Sequence, residues 1–266
     1  MMRKKLKEKI LLVTMLLLVV STLLESLPSK AATGENSHKN RITVYLAGDS
    51  TVSNYDTSLA PRAGWGQVFD RLFDDKIVVK NEASSGRSSK SFIDEGRLDS
   101  ILNQIEKGDY LFIQFGHNDE KVEDPTRYTE PYSTYKGYLK QYIDGARAKG
   151  ATPVLVTPVE RRRFTAEGIA RDSHGVYPEA MKELGLEEKV PVIDLTAKSK
   201  ALFQELGPEG TKDLFLWFGA GEQVNYPNGV QDNTHFQEAG AEMIAHLVLQ
   251  GIEESHLVPL RNHILK

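Results

Sequence analysis

Five short apolar runs recur along the chain: Ile42–Ala47, Ile77–Lys80, Tyr110–Phe115, Pro153–Thr157 and Val190–Leu195. Each is rich in β-branched or aromatic residues and bounded by Gly, Asn, Asp or Pro, the pattern of a buried strand. Between them, Trp65–Phe73, Arg97–Lys107, Tyr135–Lys149, Pro178–Leu186 and Thr196–Leu206 place apolar residues at three- and four-residue intervals, the period of a helix with one buried face. A last helix is predicted from Phe236 to about Glu253. Near-continuous apolar strands alternating with helices predict a parallel sheet covered on both faces.

The fold class expected is therefore α/β: a three-layer α/β/α sandwich around a five-stranded parallel sheet, doubly wound and flavodoxin-like. Ligands of such sheets bind beyond the carboxyl ends of the strands, so the loops after the five runs are where chemistry is expected. The polar, basic stretch Arg161–Gly175 is long enough to form part of a binding rim.

Residues 1–31 fall outside this pattern. Arg3, Lys4, Lys5, Lys7 and Lys9 precede an uncharged, mostly apolar run from Ile10 to Leu24, followed by small residues at Ser29, Ala31 and Ala32. That order is expected of a signal peptide cleaved after Ala31 or Ala32; an uncleaved anchor is disfavoured, because the run falls short of the ~20 apolar residues that span a bilayer. Residues 32–40 read as a flexible lead-in and 41–266 as a single domain. The expectation is a secreted, extracellular protein with no stable membrane association after cleavage.

Removing residues 1–31 takes away six bases and two acids and moves the formal net charge from −4 to −8. An acidic surface argues against nucleic acid and anionic membrane as partners. There is no cysteine, which excludes disulfides, thiolate chemistry and cysteine-ligated metal.

The first run ends in Gly48-Asp49-Ser50-Thr51, the second leads to Ser84-Ser85-Gly86-Arg87-Ser88, and the third ends in Gly116-His117-Asn118-Asp119. Taken singly, these read more simply as a helix cap at Ser50, a turn at Gly86 and a self-capping turn residue at Asn118. They also supply a presented hydroxyl, a bare backbone N–H and a neutral side-chain donor suited to an oxyanion. Far downstream stands Asp232-Asn233-Thr234-His235. A histidine three residues after an aspartate has the base-and-orienter pairing that a serine nucleophile requires. The same spacing suits an N-cap at Asp232; a metal pair lacks a second histidine at ligand spacing.

In this order, Ser, Gly, Asn and Asp-x-x-His resemble the SGNH hydrolases, also called GDSL esterases, over about Ile42 to Leu249. The resemblance implies Ser50 as nucleophile, Ser50, Gly86 and Asn118 as the oxyanion hole, His235 as base and Asp232 as its orienter, with no metal or organic cofactor. Ser85–Ser89, Phe115–Asp119, Thr157–Phe164 and Gly229–Phe236 are similar to the rhamnogalacturonan acetylesterases. That implies a single SGNH hydrolase domain acting on an acetylated polysaccharide or oligosaccharide, with pectin favoured over xylan or another acetylated glycan. A lipase or thioesterase of the same superfamily is a further alternative, and a non-catalytic carbohydrate-binding protein is disfavoured because all five positions hold chemically competent residues. Arg87, Arg161 and Arg162 are candidates for contacting uronic carboxylates, and Trp217 for stacking on a sugar ring.

Overall fold

In the computed structural model, residues 41–265 are described; the predicted signal peptide and lead-in lie outside them. Five strands form one parallel sheet: β1 (Ile42–Gly48), β3 (Ile77–Asn81), β4 (Tyr110–Gln114), β5 (Thr152–Val156) and β6 (Val192–Ile193), in the spatial order β3-β1-β4-β5-β6. Val44 of β1 pairs with Val79 on one side and Tyr110 on the other, with the chains running the same way. The sequence order reverses at β1, which makes the crevice above β1 and its neighbours the natural ligand site.

Both faces of the sheet are covered, which is why its strands read as unbroken apolar runs. Val44 and Leu46 of β1 point into one core with Trp65, Phe69, Phe112, Phe215 and Ile244. The alternating Tyr45 and Ala47 point into the other, with Phe92, Phe115, Leu139, Tyr142 and Met181. The first layer uses α1 (Trp65–Val68), α6 (Leu195–Gly210) and α7 (Glu238–Glu254). The second uses α2 (Ser89–Asp94), α3 (Arg97–Leu102), α4 (Lys136–Ala148) and α5 (Tyr177–Glu188).

Three departures from the sequence expectations have a direct physical cause. Val190–Leu195 contributes only Val192–Ile193 as strand, because Asp194 accepts a hydrogen bond from Ala197 N–H at 3.0 Å and starts α6 one residue later. The unanticipated helix α2 is nucleated by a capping box in which Ser88 and Ser91 satisfy each other's backbone N–H groups. The last helix begins at Glu238 rather than Phe236, since the residues before it are a strand.

That strand, β8 (Val230–Gln237), lies between β2 (Arg62–Ala63) and β7 (Phe215–Phe218) in a second, antiparallel sheet. Phe215 pairs with Phe236 and Trp217 with Gln231, so two steps along β7 match five along β8. The surplus residues form a bulge, a device that re-aims side chains beside active sites. Its residues are Asp232 to His235.

Candidate active site

Gly48 closes β1 because a side chain there would meet Val52 Cγ2 at 2.7 Å and Gln114 O at 3.1 Å. The turn beyond it is held from below. Asp49 Oδ1 accepts from Thr51 N–H and Thr51 Oγ1, each at 2.8 Å. Thr51 Oγ1 accepts from Gln114 Nε2 at 2.7 Å, and Gln114 Oε1 from Trp65 Nε1 at 2.8 Å. Ser50 is therefore not a helix cap; the next α-helix starts at Trp65, with Gly64 as its N-cap. Tyr55 OH donates to Ser50 O at 2.6 Å, fixing the peptide that carries the hydroxyl.

The bulge on β8 brings His235 Nε2 to 3.0 Å from Ser50 Oγ. On the other edge of the ring, His235 Nδ1 is 2.6 Å from Asp232 Oδ2. Asp232 Oδ1 also accepts from the N–H groups of Thr234 at 2.7 Å and His235 at 3.0 Å. Partial burial pushes the Asp232 carboxyl up, but the bond from His235, the imidazole charge and the two N–H donors outweigh it and bring its pKa down to about 2. Asp232 is thus ionised at neutral pH and holds the imidazole with Nε2 towards Ser50.

The second and third loops complete the floor. Ser84 N–H donates to Gly48 O at 2.9 Å, placing Gly86 beside Ser50. Gly86 has φ +82, a left-handed conformation in which a side chain is disfavoured. Asn118 is buried, and its Nδ2 donates one hydrogen to Arg87 O at 3.0 Å, leaving the other without a partner among the described residues. The N–H groups of Ser50 and Gly86 have no hydrogen-bond partner among the described residues. These loops line a cleft of about 320 Å³ that includes Ser50, Gly86, His117, Asn118, Thr234 and His235, flanked by Arg62, Lys121 and Arg161.

Several buried residues behind this surface escaped the sequence reading. Asp119 accepts from Ser89 N–H at 3.1 Å, Ser89 Oγ at 2.5 Å and Thr129 Oγ1 at 3.0 Å, so it clamps the Gly86 loop to the Asn118 loop. Full burial raises its pKa to about 7, against the pull of those donors. His117 Nδ1 lies 3.2 Å from Asp49 Oδ2, out of line for a hydrogen bond, and its ring packs edge-on against His174 with centroids 4.4 Å apart. Burial, opposed by the Asp49 charge, lowers the His117 pKa to about 4, so the ring is neutral at pH 7. Asp49 and Asp119 adjoin Ser50 and Asn118 in sequence, which was the only available hint; burial itself is a tertiary fact.

The substrate candidates separate. Arg161 reaches the cleft, but its guanidinium is engaged with Glu120 Oε1 at 2.5 Å and Ser173 O at 3.1 Å. Arg87 is turned out of the cleft and forms a fork with Glu95, both distances 3.0 Å. Arg162 lies over the Trp217 ring at 4.5 Å, and both donate to Asn233 Oδ1 at 3.0 Å. Arg162 lines a neighbouring groove, with the Trp217 ring packed against it. Among the described residues, no group of three His, Cys, Asp or Glu side chains is placed to hold a metal ion.

The family description that matches residues 46–243 is GDSL-like Lipase/Acylhydrolase. The chain belongs to this family. It is a carboxylic ester hydrolase, and its similarities lie with carbohydrate acetylesterases. It is 53% identical to a rhamnogalacturonan acetylesterase of Bacillus subtilis over 85% of this chain and 96% of that one. A probable rhamnogalacturonan acetylesterase of the same organism is 48% identical over 84% and 97% of the two chains. Among solved structures, a B. subtilis protein superposes with a TM-score of 0.70 at 33% identity, covering 82% of this chain, and this chain spans 58% of that one. An acetylxylan esterase from Geobacillus stearothermophilus, at 16% identity, covers 80% of this chain and 96% of its own with a TM-score of 0.57; that likeness is one of fold.

Proposed function

We propose that the protein is a secreted serine esterase that removes O-acetyl groups from rhamnogalacturonan, the backbone of pectin. The observation that carries the chemistry is the chain Ser50 Oγ, His235, Asp232, with links of 3.0 and 2.6 Å. The substrate reading is supported by the B. subtilis relatives at 53% and 48% identity and by a cleft lined with serine, threonine, asparagine and basic side chains, which suits a sugar better than a long acyl chain.

In this reading Ser50 Oγ attacks the acetyl carbonyl carbon as His235 Nε2 takes its proton. The carbonyl π electrons move to oxygen, and the oxyanion is met by the N–H groups of Ser50 and Gly86 and the free Nδ2 hydrogen of Asn118. Collapse breaks the bond to the sugar oxygen, which leaves as an alcohol with the proton from His235. Water, deprotonated by the same imidazole, then cleaves acetyl-Ser50 and releases acetate. Ionised Asp232 stabilises the imidazolium formed at both steps. Residues 1–31 would direct export, placing the enzyme where polymeric pectin is met.

The test is acetate release from acetylated rhamnogalacturonan, acetylated xylan and a long-chain ester at matched ester concentration. Rhamnogalacturonan is expected to give the highest kcat/KM. Preference for xylan or for the long-chain ester would overturn the substrate assignment.

A further inference from the structure

A second depression, of about 480 Å³, adjoins the catalytic cleft and is lined by Arg162, Arg163, Phe164, Arg171, Asp172, Pro208 and Asn233. Its position is set by two pairs of consecutive residues. Arg161 and Thr234 line the catalytic cleft, Arg162 and Asn233 the second groove. The Arg162 N–H donates to Asn233 O at 2.9 Å, and its guanidinium to Asn233 Oδ1 at 3.0 Å, so the ridge between the two is this one pair of residues. A chain occupying the catalytic cleft has only that ridge to cross.

Two of the groove's arginines are left without anions. Phe164 and Ala170 form an antiparallel bridge, and Arg171 N–H donates to Arg163 O at 2.9 Å, which sets Arg163 and Arg171 directly opposite each other. Like charges opposed across a strand pair are unfavourable unless something neutralises them. Among the described residues neither guanidinium has an ion-pair or hydrogen-bond partner, whereas Arg71, Arg87, Arg97, Arg127, Arg147 and Arg161 all meet carboxylates. Asp172, the acidic residue of the lining, is taken up by Lys200 at 2.7 Å. Arg162 adds a third positive charge, hydrogen-bonded to Asn233 Oδ1 and Pro208 O and set over the rings of Trp217 and Phe164, with the Glu209 carboxylate close enough to act on it. In a protein with more acids than bases, unpaired arginines gathered beside the catalytic cleft call for an anionic ligand.

We propose that this groove is a carboxylate subsite, in which Arg163 and Arg171 bind the uronic acid of the polysaccharide whose acetylated sugar occupies the catalytic cleft. This rests on the substrate reading above. Planar guanidinium groups hold a carboxylate by paired hydrogen bonds as well as by charge. The subsite anchors the polymer in register without touching the ester, so it acts on substrate binding and leaves the chemical step alone.

The test is binding of an unacetylated oligogalacturonide to the wild-type protein and to the Arg163→Ala/Arg171→Ala variant, followed calorimetrically at low salt. A methyl-esterified oligogalacturonide and a sulfated oligosaccharide of equal length serve as further probes. Affinity for the free uronate is expected to fall by about tenfold or more in the variant, the weight of one or two charge-assisted hydrogen bonds, and by a similar factor on methyl esterification. Turnover of p-nitrophenyl acetate should stay at the wild-type level, which shows the variant folded. Unchanged affinity in the variant, indifference to methyl esterification, or equally tight binding of the sulfated sugar would overturn the subsite. Because binding is read without hydrolysis, loss of rhamnogalacturonan activity in the wild type would refute the substrate reading and leave this result standing.

Discussion

His235 Nε2 stands 3.0 Å from Ser50 Oγ although the two are 185 positions apart in the chain. The contact exists because β1 and the bulge of β8 end at the same edge of the molecule. Asp232 sets the direction of the ring. In Asp232→Asn the isosteric amide keeps the shape, but an amide is neutral and favours the wrong imidazole tautomer. kcat is expected to fall by about 10⁴ with little change in KM. Steady-state kinetics on p-nitrophenyl acetate check this; a loss of less than tenfold would remove Asp232 from the mechanism.

Asn118 offers the cleft one amide hydrogen while the other is held by Arg87 O at 3.0 Å. Asn118→Ala should lower kcat about 10²–10³-fold, as expected for one oxyanion donor, and should leave KM near its wild-type value. A rise in KM without a fall in kcat would mean that Asn118 binds the ground state instead.

Gly86 separates conformational from steric effects. A methyl group at this position meets nothing within 4 Å, yet the backbone has φ +82. Gly86→Ala is therefore expected to cost about 1–2 kcal/mol through the left-handed conformation alone, read as a lower denaturant midpoint at unchanged slope. Activity should fall as the loop relaxes and its N–H leaves the cleft. Wild-type stability in this variant would contradict the assigned backbone conformation.

Asp119 supplies a pH dependence of stability. Its folded pKa, about 7, lies above the ordinary 3.8, so between those values the folded state binds the extra proton. Its contribution is complete below pH ~4 and is lost as pH rises through 7, on the order of a few kcal/mol in all. Asp232 runs the other way: with a folded pKa of about 2, it stabilises above pH ~4 and its contribution disappears as pH falls towards 2. Denaturation of Asp119→Asn at pH 4, 5.5 and 7 should show the Asp119 slope abolished. A slope identical to wild type would place the titration elsewhere.

The parts that were legible follow from these geometries. Val44, Leu46, Tyr45 and Ala47 serve two cores at once, and a strand buried on both faces leaves an apolar run that no helix of the same length imitates well. Ser50, Gly86, Asn118, Asp232 and His235 were legible because each sits in a short block of ordered residue types. The bulge that aims Asp232 and His235 was not, because its residues are polar and its partner Phe215–Phe218 is a brief run after a broken helix. Asp49, His117 and Asp119 look like turn residues until the neighbouring loops close over them. For the arginines, local sequence cannot say which ones find a carboxylate: Arg87 meets Glu95 eight residues on, while Arg161 meets Glu120 from a different loop.

The proposed hydrolysis depends most directly on Ser50. Acetate release from acetylated rhamnogalacturonan should be measured for the wild type and Ser50→Ala side by side, with circular dichroism and the thermal midpoint recorded for both. Matching spectra are expected, with turnover in the variant lower by about 10⁶. A folded Ser50→Ala protein that still released acetate at a rate near the wild type would contradict this.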